Sequence, residues 1–262
     1  MSWSRKTASI AGLLLLSASP LLAVNGGALD SANHPAVGFI YGTLSTDACL
    51  GQVLGCTGVL VAPTVFLTSA ECADSFANAQ QYGYDLKAVW VSFNPSSPFD
   101  CSGPSTVQQI AVNPAWDPAA ADPAGNVGVM ILADAAAPAP AGLPAEGRID
   151  GLPITQIYTV VAYGDGNGGP STNALDLERR STTALSRKVD AEQLTLSLRQ
   201  AVKGSRPCIG QLNEAGPVYV GTGNEIVSLV TSHMRGSCWV ADSQRLDVPS
   251  ARDFLAGYVT LP

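Results

Sequence analysis

Six cysteines are the residues of this sequence whose type and spacing point most directly to chemistry. They are Cys49, Cys56, Cys72, Cys101, Cys208 and Cys238. No Cys-x-x-Cys pair occurs and no histidine is adjacent to a cysteine, which disfavours a zinc site. An even number of cysteines in an exported chain is typical of disulfides, so we expect three.

Two other stretches could carry chemistry. His34 precedes Pro35 and an apolar run, and we interpret it as a structural histidine rather than a catalytic one. Asp165 to Gly169 has part of the appearance of a calcium loop, but the later acidic ligands are missing. A glycine-rich turn is the better interpretation, and we expect no cofactor.

The first 23 residues have the pattern of an export signal. Arg5 and Lys6 supply the positive start, Ile10 to Leu16 the apolar core, and Leu21-Leu22-Ala23 a cleavage site. The apolar core is too short and too interrupted to span a membrane. We expect a mature chain from about Val24 that is secreted, extracellular or periplasmic, with no membrane span.

The charge of the mature chain excludes some classes of partner. The formal net charge is −7, and removal of Arg5 and Lys6 with the signal leaves −9. Nucleic acid and anionic membrane surfaces repel an acidic protein. We therefore expect neither of them as a partner.

Composition and periodicity predict an all-β fold. Charged residues make up only 13% of the chain, glycine and proline are plentiful, and short apolar runs alternate with turns. Between Cys56 and Cys72, the runs 59–61 and 65–68 flank a Pro-Thr turn and predict a hairpin. About 240 mature residues suffice for one large β unit or two small barrels.

This hairpin resembles the one that carries the catalytic histidine in chymotrypsin- and trypsin-like serine peptidases, and the chain looks like their bacterial secreted branch. The family's hairpin ends in Thr-Ala-Ala-His-Cys or Thr-Ala-Gly-His-Cys. Here Thr68-Ser69-Ala70 is followed by Glu71 and Cys72. Glu71 therefore stands where the family has its general base.

The remaining landmarks of the family follow in order. Val24-Asn25-Gly26-Gly27 resembles the mature N-terminus, and residues 125–132 resemble the strand that follows the catalytic aspartate. Asn126 stands at that aspartate. An asparagine at the start of a strand can instead cap backbone groups, and we keep both interpretations.

The stretch from Cys208 to Tyr219 resembles the family's nucleophile loop, Cys-x-Gly-Asp-Ser-Gly-Gly-Pro. Anchoring on Gly216-Pro217 places Asn213 at the aspartate and Glu214 at the serine, and we prefer this alignment. Anchoring on Cys208 places Gln211 and Leu212 there instead. Neither alignment supplies a serine.

The resemblance implies two antiparallel six-stranded β-barrels and a short C-terminal helix. The N-terminal barrel is expected at about residues 24–132, the linker at 133–152 and the C-terminal barrel at 153–262. The implied disulfides are Cys56–Cys72 and Cys208–Cys238, which leaves Cys49–Cys101 as the third. Asp247 is expected to cap the helix, with Pro249 in its first turn.

The triad mechanism needs a hydroxyl nucleophile, an imidazole and an orienting carboxylate. With Glu71, Asn126 and Glu214 at those places, none of the three is present. A carboxylate that is ionised at neutral pH is also a poor proton shuttle. We therefore expect a pseudoprotease with no catalytic residue.

Three functions remain open. The first is a binding, regulatory or decoy module that takes a protein, a peptide or a protease inhibitor in the old cleft, where Arg206, Ser232 and His233 are expected. The second is a hydrolase, or a metal site, built on Glu71 and Glu214 as two facing carboxylates. The third is a secreted accessory domain that does not use the cleft.

Overall fold

A computed structural model describes residues 27–120, 124–165, 177–199, 214–231 and 239–262. Several of the predicted features lie outside these described residues. They are the export signal, the mature N-terminus at 24–26, the glycine-rich stretch after Asp165, Arg206, Asn213, Ser232, His233 and the Cys208–Cys238 pair.

The first barrel closes six antiparallel strands on themselves. Its strands are β2 (Val37–Thr43), β3 (Gln52–Ala62), β4 (Val65–Thr68), β5 (Ala88–Ser92), β6 (Ser105–Val112) and β7 (Gly128–Leu132). They neighbour one another in the order β2-β3-β4-β7-β6-β5. The predicted hairpin is β3–β4, in which Val59 pairs with Leu67 and Leu60 with Phe66.

The second barrel also closes six antiparallel strands. They are β8 (Ile157–Asp165), β9 (Leu177–Val189), β10 (Gln193–Leu198), β11 (Pro217–Val220), β12 (Ile226–Val230) and β13 (Val240–Arg245). The order is β8-β9-β10-β13-β12-β11, and pairing of β8 with β9 and with β11 completes the ring. The all-β prediction of two six-stranded barrels is confirmed.

The first strand of the described chain belongs to the second sheet. Strand β1 (Ala28–Leu29) pairs with Ser181 and Arg180 of β9. Strand β2 is the first strand of the first barrel. The segment before β2 therefore lies at the interface between the two barrels, which we call the seam.

Local sequence explains the burial of the strands. Strand β10 alternates strictly between apolar and polar residues, and its three leucines are the buried ones. Strand β2 is buried along its whole length because one face lines its own barrel while the other is covered. Apolar side chains of the first barrel and the seam form one core cluster, and those inside the second barrel form another.

Residues 133–156 connect β7 to β8 without a named strand or helix. The connection is fastened to the second barrel, since Arg148 pairs with Glu225 at 3.0 Å and the Ile149 amide donates to the Asp247 carboxylate at 2.7 Å. Asp247 also pairs with Arg245 at 2.9 Å. Its carboxylate is therefore engaged away from the C-terminal helix.

In the part of the chain that the structure describes, two short α-helices accompany the barrels, α1 (Ala70–Ala77) and α2 (Pro249–Leu255). A 3-10 turn, Ala79–Tyr82, follows α1. Helix α2 confirms the predicted C-terminal helix with Pro249 in its first turn, but Asp247 does not cap it. The N-cap is Val248, whose side chain forms no hydrogen bond. Asp247 does not cap the helix because its carboxylate binds Arg245 and the Ile149 amide.

Two disulfides lie in the first half of the chain. One joins Cys56 in β3 to Cys72 in α1, and the other joins Cys49 to Cys101 across 52 residues. These are two of the three pairings that the resemblance implied. The first fastens α1 to β3, and the second joins the β2–β3 connection to the β5–β6 connection.

Candidate functional site

Helix α1 presents Glu71 at the end of the β3–β4 hairpin. Strand β4 ends at Thr68, and Ser69 caps the helix, its hydroxyl accepting from the Cys72 amide at 3.0 Å. The sequence analysis did not predict this helix. A serine directly before an alanine-rich turn was the available signal.

Two features hold α1 against the first barrel. The Cys56–Cys72 disulfide ties the helix to β3. On the other side the helix lies directly on β7, because Gly128 has no side chain. A Cβ at Gly128 would come within 2.5 Å of the Ala73 Cβ and 2.7 Å of the Ser69 carbonyl oxygen. The position of Glu71 is therefore set by close packing as well as by sequence.

Asn126 joins this helix to the second barrel. Its side-chain Oδ1 accepts from the Glu71 amide at 3.2 Å, and its own amide donates to the Gln244 side chain in β13 at 3.0 Å. Asn126 is buried, with 2% of its surface exposed. The side chain thus caps a backbone amide, which is the structural role that the sequence analysis kept open.

Glu214 lies on the opposite side of the seam, three residues before β11. Its carbonyl accepts from the Thr57 amide of β3 at 3.2 Å, a direct backbone link between the barrels. The next residue, Ala215, has a left-handed backbone with φ of 62° and donates to the Val230 carbonyl at 2.7 Å. Such a backbone costs a non-glycine residue on the order of 1 kcal/mol, so the surrounding contacts must hold it.

The Glu71 side chain neighbours that of Glu214 across the seam, close enough for its charge and hydrogen-bonding capacity to act on Glu214. Only 8% of Glu214 is exposed, and its Oε1 atom is buried without a hydrogen-bond partner, whereas Glu71 is half-buried. Burial raises the pKa of Glu214 well above its usual range, and the contact with Glu71 and its charge raise that pKa further. The neutral form of Glu214 is therefore favoured.

The structure thus brings Glu71, Asn126 and Glu214 together, the three residues that the resemblance placed at the triad. Glu71 donates its amide to Asn126, and its carboxyl meets Glu214. The trio offers carboxyl and amide groups for hydrogen bonding. It contains neither a hydroxyl nor an imidazole, which are the groups that the triad chemistry requires.

His34 lies elsewhere, in a buried ionic cluster. Its Nδ1 is 2.7 Å from Asp30, and its ring lies 4.6 Å from that of Tyr219. Asp30 in turn pairs with the buried Arg179 of β9 at 3.2 Å. These contacts agree with the structural interpretation of His34. Sequence reasoning missed Asp30 and Arg179, since their partners come from distant segments.

The described residues contain neither a metal-binding cluster nor a membrane-spanning helix. No group of three or more His, Cys, Asp and Glu side chains in this part of the protein is placed to hold a metal ion. No helix in the described ranges is long and apolar enough to cross a membrane.

Comparisons with known proteins place the fold. No protein-family model matches the sequence, and no curated protein matches it either. Solved structures do. HL collagenase has a TM-score of 0.63 and 15% identity, over 89% of this chain and 99% of that one.

Two further structures show the range of these matches. The VesB protease of Vibrio cholerae has a TM-score of 0.59 and 18% identity, over 86% of this chain and 64% of that one. The inactivated protease paralogue S-I1 of the scabies mite has a TM-score of 0.59 and 13% identity, over 88% and 97%. The chain therefore has the double-barrel fold of the chymotrypsin-like serine proteases.

Proposed function

We propose that this protein is a proteolytically inactive serine-protease homologue that binds a protein or peptide partner in the cleft between its barrels. The observation that carries the proposal is the contact between Glu71 and Glu214. At the seam where this fold would hold a nucleophile and a base, two carboxyl groups face each other. A protease inhibitor that takes this cleft for an active site is one partner of the proposed kind.

The hydrogen bonds of neighbouring groups support the inactive assignment. The hydroxyl of Ser69 is used in capping α1, and Asn126 is used in binding the Glu71 amide. His34, the histidine within the described residues, has its Nδ1 engaged with Asp30. Loss of the base alone costs an enzyme of this class several powers of ten in rate.

We place this function outside the cytoplasm. The Cys56–Cys72 and Cys49–Cys101 disulfides support that placement because cytosolic thiols are kept reduced. The export pattern of residues 1–23 agrees with it.

The inactive assignment is tested with a fluorophosphonate probe and a casein digest at neutral pH, with trypsin as the positive control. We expect neither labelling nor cleavage. A serine labelled in the wild-type protein, or casein cleaved in proportion to the concentration of that protein, contradicts the proposal.

A variant that combines Glu71→His, Asn126→Asp and Glu214→Ser tests the assignment of the triad positions. Activity that appears only in this triple variant supports the assignment.

Binding in the cleft needs its own experiment. The tagged protein is used to capture partners from its own secretion medium, beside Glu71→Arg and the matched surface variant Glu146→Arg. We expect capture by the wild type and by Glu146→Arg, and loss in Glu71→Arg, because Glu71 borders the seam and Glu146 is exposed elsewhere. Equal capture by all three places the binding surface outside the cleft. Absence of capture supports an accessory domain.

The carboxyl pair also favours a second candidate function, a hydrolase that uses one protonated and one ionised carboxyl. Aspartic proteases and glycosidases use such pairs. A panel of protein and polysaccharide substrates between pH 4 and 8 tests it. Turnover by the wild type that is lost in Glu214→Gln would support this candidate, and its absence across the panel would remove it.

A further inference from the structure

The Glu71–Glu214 contact joins two groups that cannot form a hydrogen bond in their ionised state. A carboxylate only accepts, so two carboxylates in contact repel unless one of them carries a proton. Glu71 is on α1 of the first barrel, and Glu214 lies three residues before β11 of the second. The contact therefore connects the two barrels, and it is favourable only when one of the two carboxyls carries a proton.

Among the described residues, the surroundings of Glu214 supply no other compensation. From β3, the Thr57 amide donates to the backbone carbonyl of Glu214 and not to its carboxyl. From α1, Glu71 is the charged side chain that acts on Glu214 within the described ranges. The Oε1 atom of Glu214 is buried without a partner there. In this part of the protein, neither a basic side chain nor an amide thus takes the place of the proton.

We propose that Glu71 and Glu214 share one proton, and that this proton is a pH-sensitive lock between the two barrels at the cleft. When the proton is present, one carboxyl donates to the other and α1 is held against the segment before β11. When it leaves, two negative charges face each other at a site from which water is largely excluded. The lock does not depend on what the cleft binds.

The direction of the pH dependence follows from the burial of Glu214. Burial and the charge of Glu71 raise the pKa of Glu214, so the folded state holds its proton more tightly than the unfolded chain. The lock is complete below the ordinary glutamate range and is lost as the pH rises through the raised pKa. An alkaline shift therefore loosens the seam.

One backbone bond reports on the lock directly. The Thr57 amide donates to the Glu214 carbonyl at 3.2 Å, and Thr57 belongs to the first barrel. Separation of the two carboxyls moves Glu214 and exposes this amide. Its hydrogen exchange, corrected for the intrinsic rate at each pH, measures how often the seam opens.

The experiment compares amide exchange at Thr57 from pH 5 to pH 9 in four proteins, by NMR or by mass spectrometry of short peptides. In the wild type we expect protection to fall at least about tenfold as the pH rises, since each pH unit above the pKa changes the protonation ratio tenfold. In Glu214→Gln the introduced side-chain amide donates to Glu71 at every pH, so the protection of the Thr57 amide stays constant. If Glu214→Gln fails to fold, Glu71→Gln replaces it in the comparison. This variant alters the half-buried partner and should show the same constant protection at Thr57.

The control is Glu146→Gln, the same chemical change at an exposed position. It should keep the pH dependence of the wild type. Wild-type protection that is constant with pH overturns the proposal. So does a pH dependence that persists unchanged in both Glu71→Gln and Glu214→Gln, because another group would then be responsible.

Discussion

The buried pair of Asp30 and Arg179 is expected to carry a large share of the stability of the seam. Arg179 is 2% exposed and Asp30 fully buried. The guanidinium donates to Asp30 at 3.2 Å, to the Val37 carbonyl at 3.0 Å and to the Phe93 carbonyl at 3.3 Å, and it also donates to the Ser31 carbonyl. One side chain of β9 thus binds the initial segment and the first barrel together.

The perturbation is Asp30→Asn, which keeps the shape of the side chain and removes its charge. The buried guanidinium then lacks its counter-charge, which costs about 3–5 kcal/mol of unfolding free energy. For a chain of this size, 1 kcal/mol corresponds to about 2–4 °C in Tm. We therefore expect Tm to fall by about 6–20 °C at pH 7, measured by circular dichroism.

The loss should depend on pH in a defined direction. Burial raises the pKa of Asp30, but the hydrogen bond and charge of His34 and the charge of Arg179 outweigh it, so the pKa lies below its ordinary value. The stabilisation is therefore complete above the ordinary aspartate pKa of about 3.9 and is lost as the pH falls through the lower folded-state pKa. The gap between wild type and Asp30→Asn should close only at acid pH.

Two further variants make this prediction refutable. Arg179→Met added to Asp30→Asn should be less damaging than Asp30→Asn alone, because the uncompensated charge is removed. Asp85→Asn, which breaks an exposed pair with Lys87, should change stability by less than about 0.5 kcal/mol. A cost below about 1 kcal/mol for Asp30→Asn would refute the reasoning.

Three other predictions concern the frame of the site. Serine pairs at Cys56/Cys72 and at Cys49/Cys101, separated by 16 and 52 residues, should cost about 3 and about 4 kcal/mol in urea unfolding, and a larger loss for the shorter loop would contradict the loop-entropy argument. Gly128→Ala should cost about 1–3 kcal/mol because its Cβ would strike Ala73 and Ser69 of the α1 start, and an unchanged Tm would show that the helix can shift freely. Asn126→Ala should cost about 1–2 kcal/mol by uncapping the Glu71 amide, whereas no loss would mean that water replaces the side chain.

The β3–β4 hairpin could be predicted from the local alternation of apolar residues on either side of a turn. The two barrels and the C-terminal helix were implied by the resemblance to the serine peptidases, which rests on short local stretches of sequence. Helix α1 was not predicted because, at only eight residues, it is too short to show a helical period of its own. The prediction that Asp247 caps α2 was wrong because its carboxylate binds Arg245 and the Ile149 amide instead. No local sequence pattern shows these partners.

The sequence by itself determined which chemical groups this protein can bring to its cleft: carboxyls at 71 and 214 and an amide at 126. Only the tertiary structure decided what those groups do there. A residue type carries its acidity and its hydrogen-bonding capacity along the chain. Burial, however, depends on which segments fold over it, and the pKa of Glu214 is raised because the two barrels close around its side chain and place Glu71 beside it.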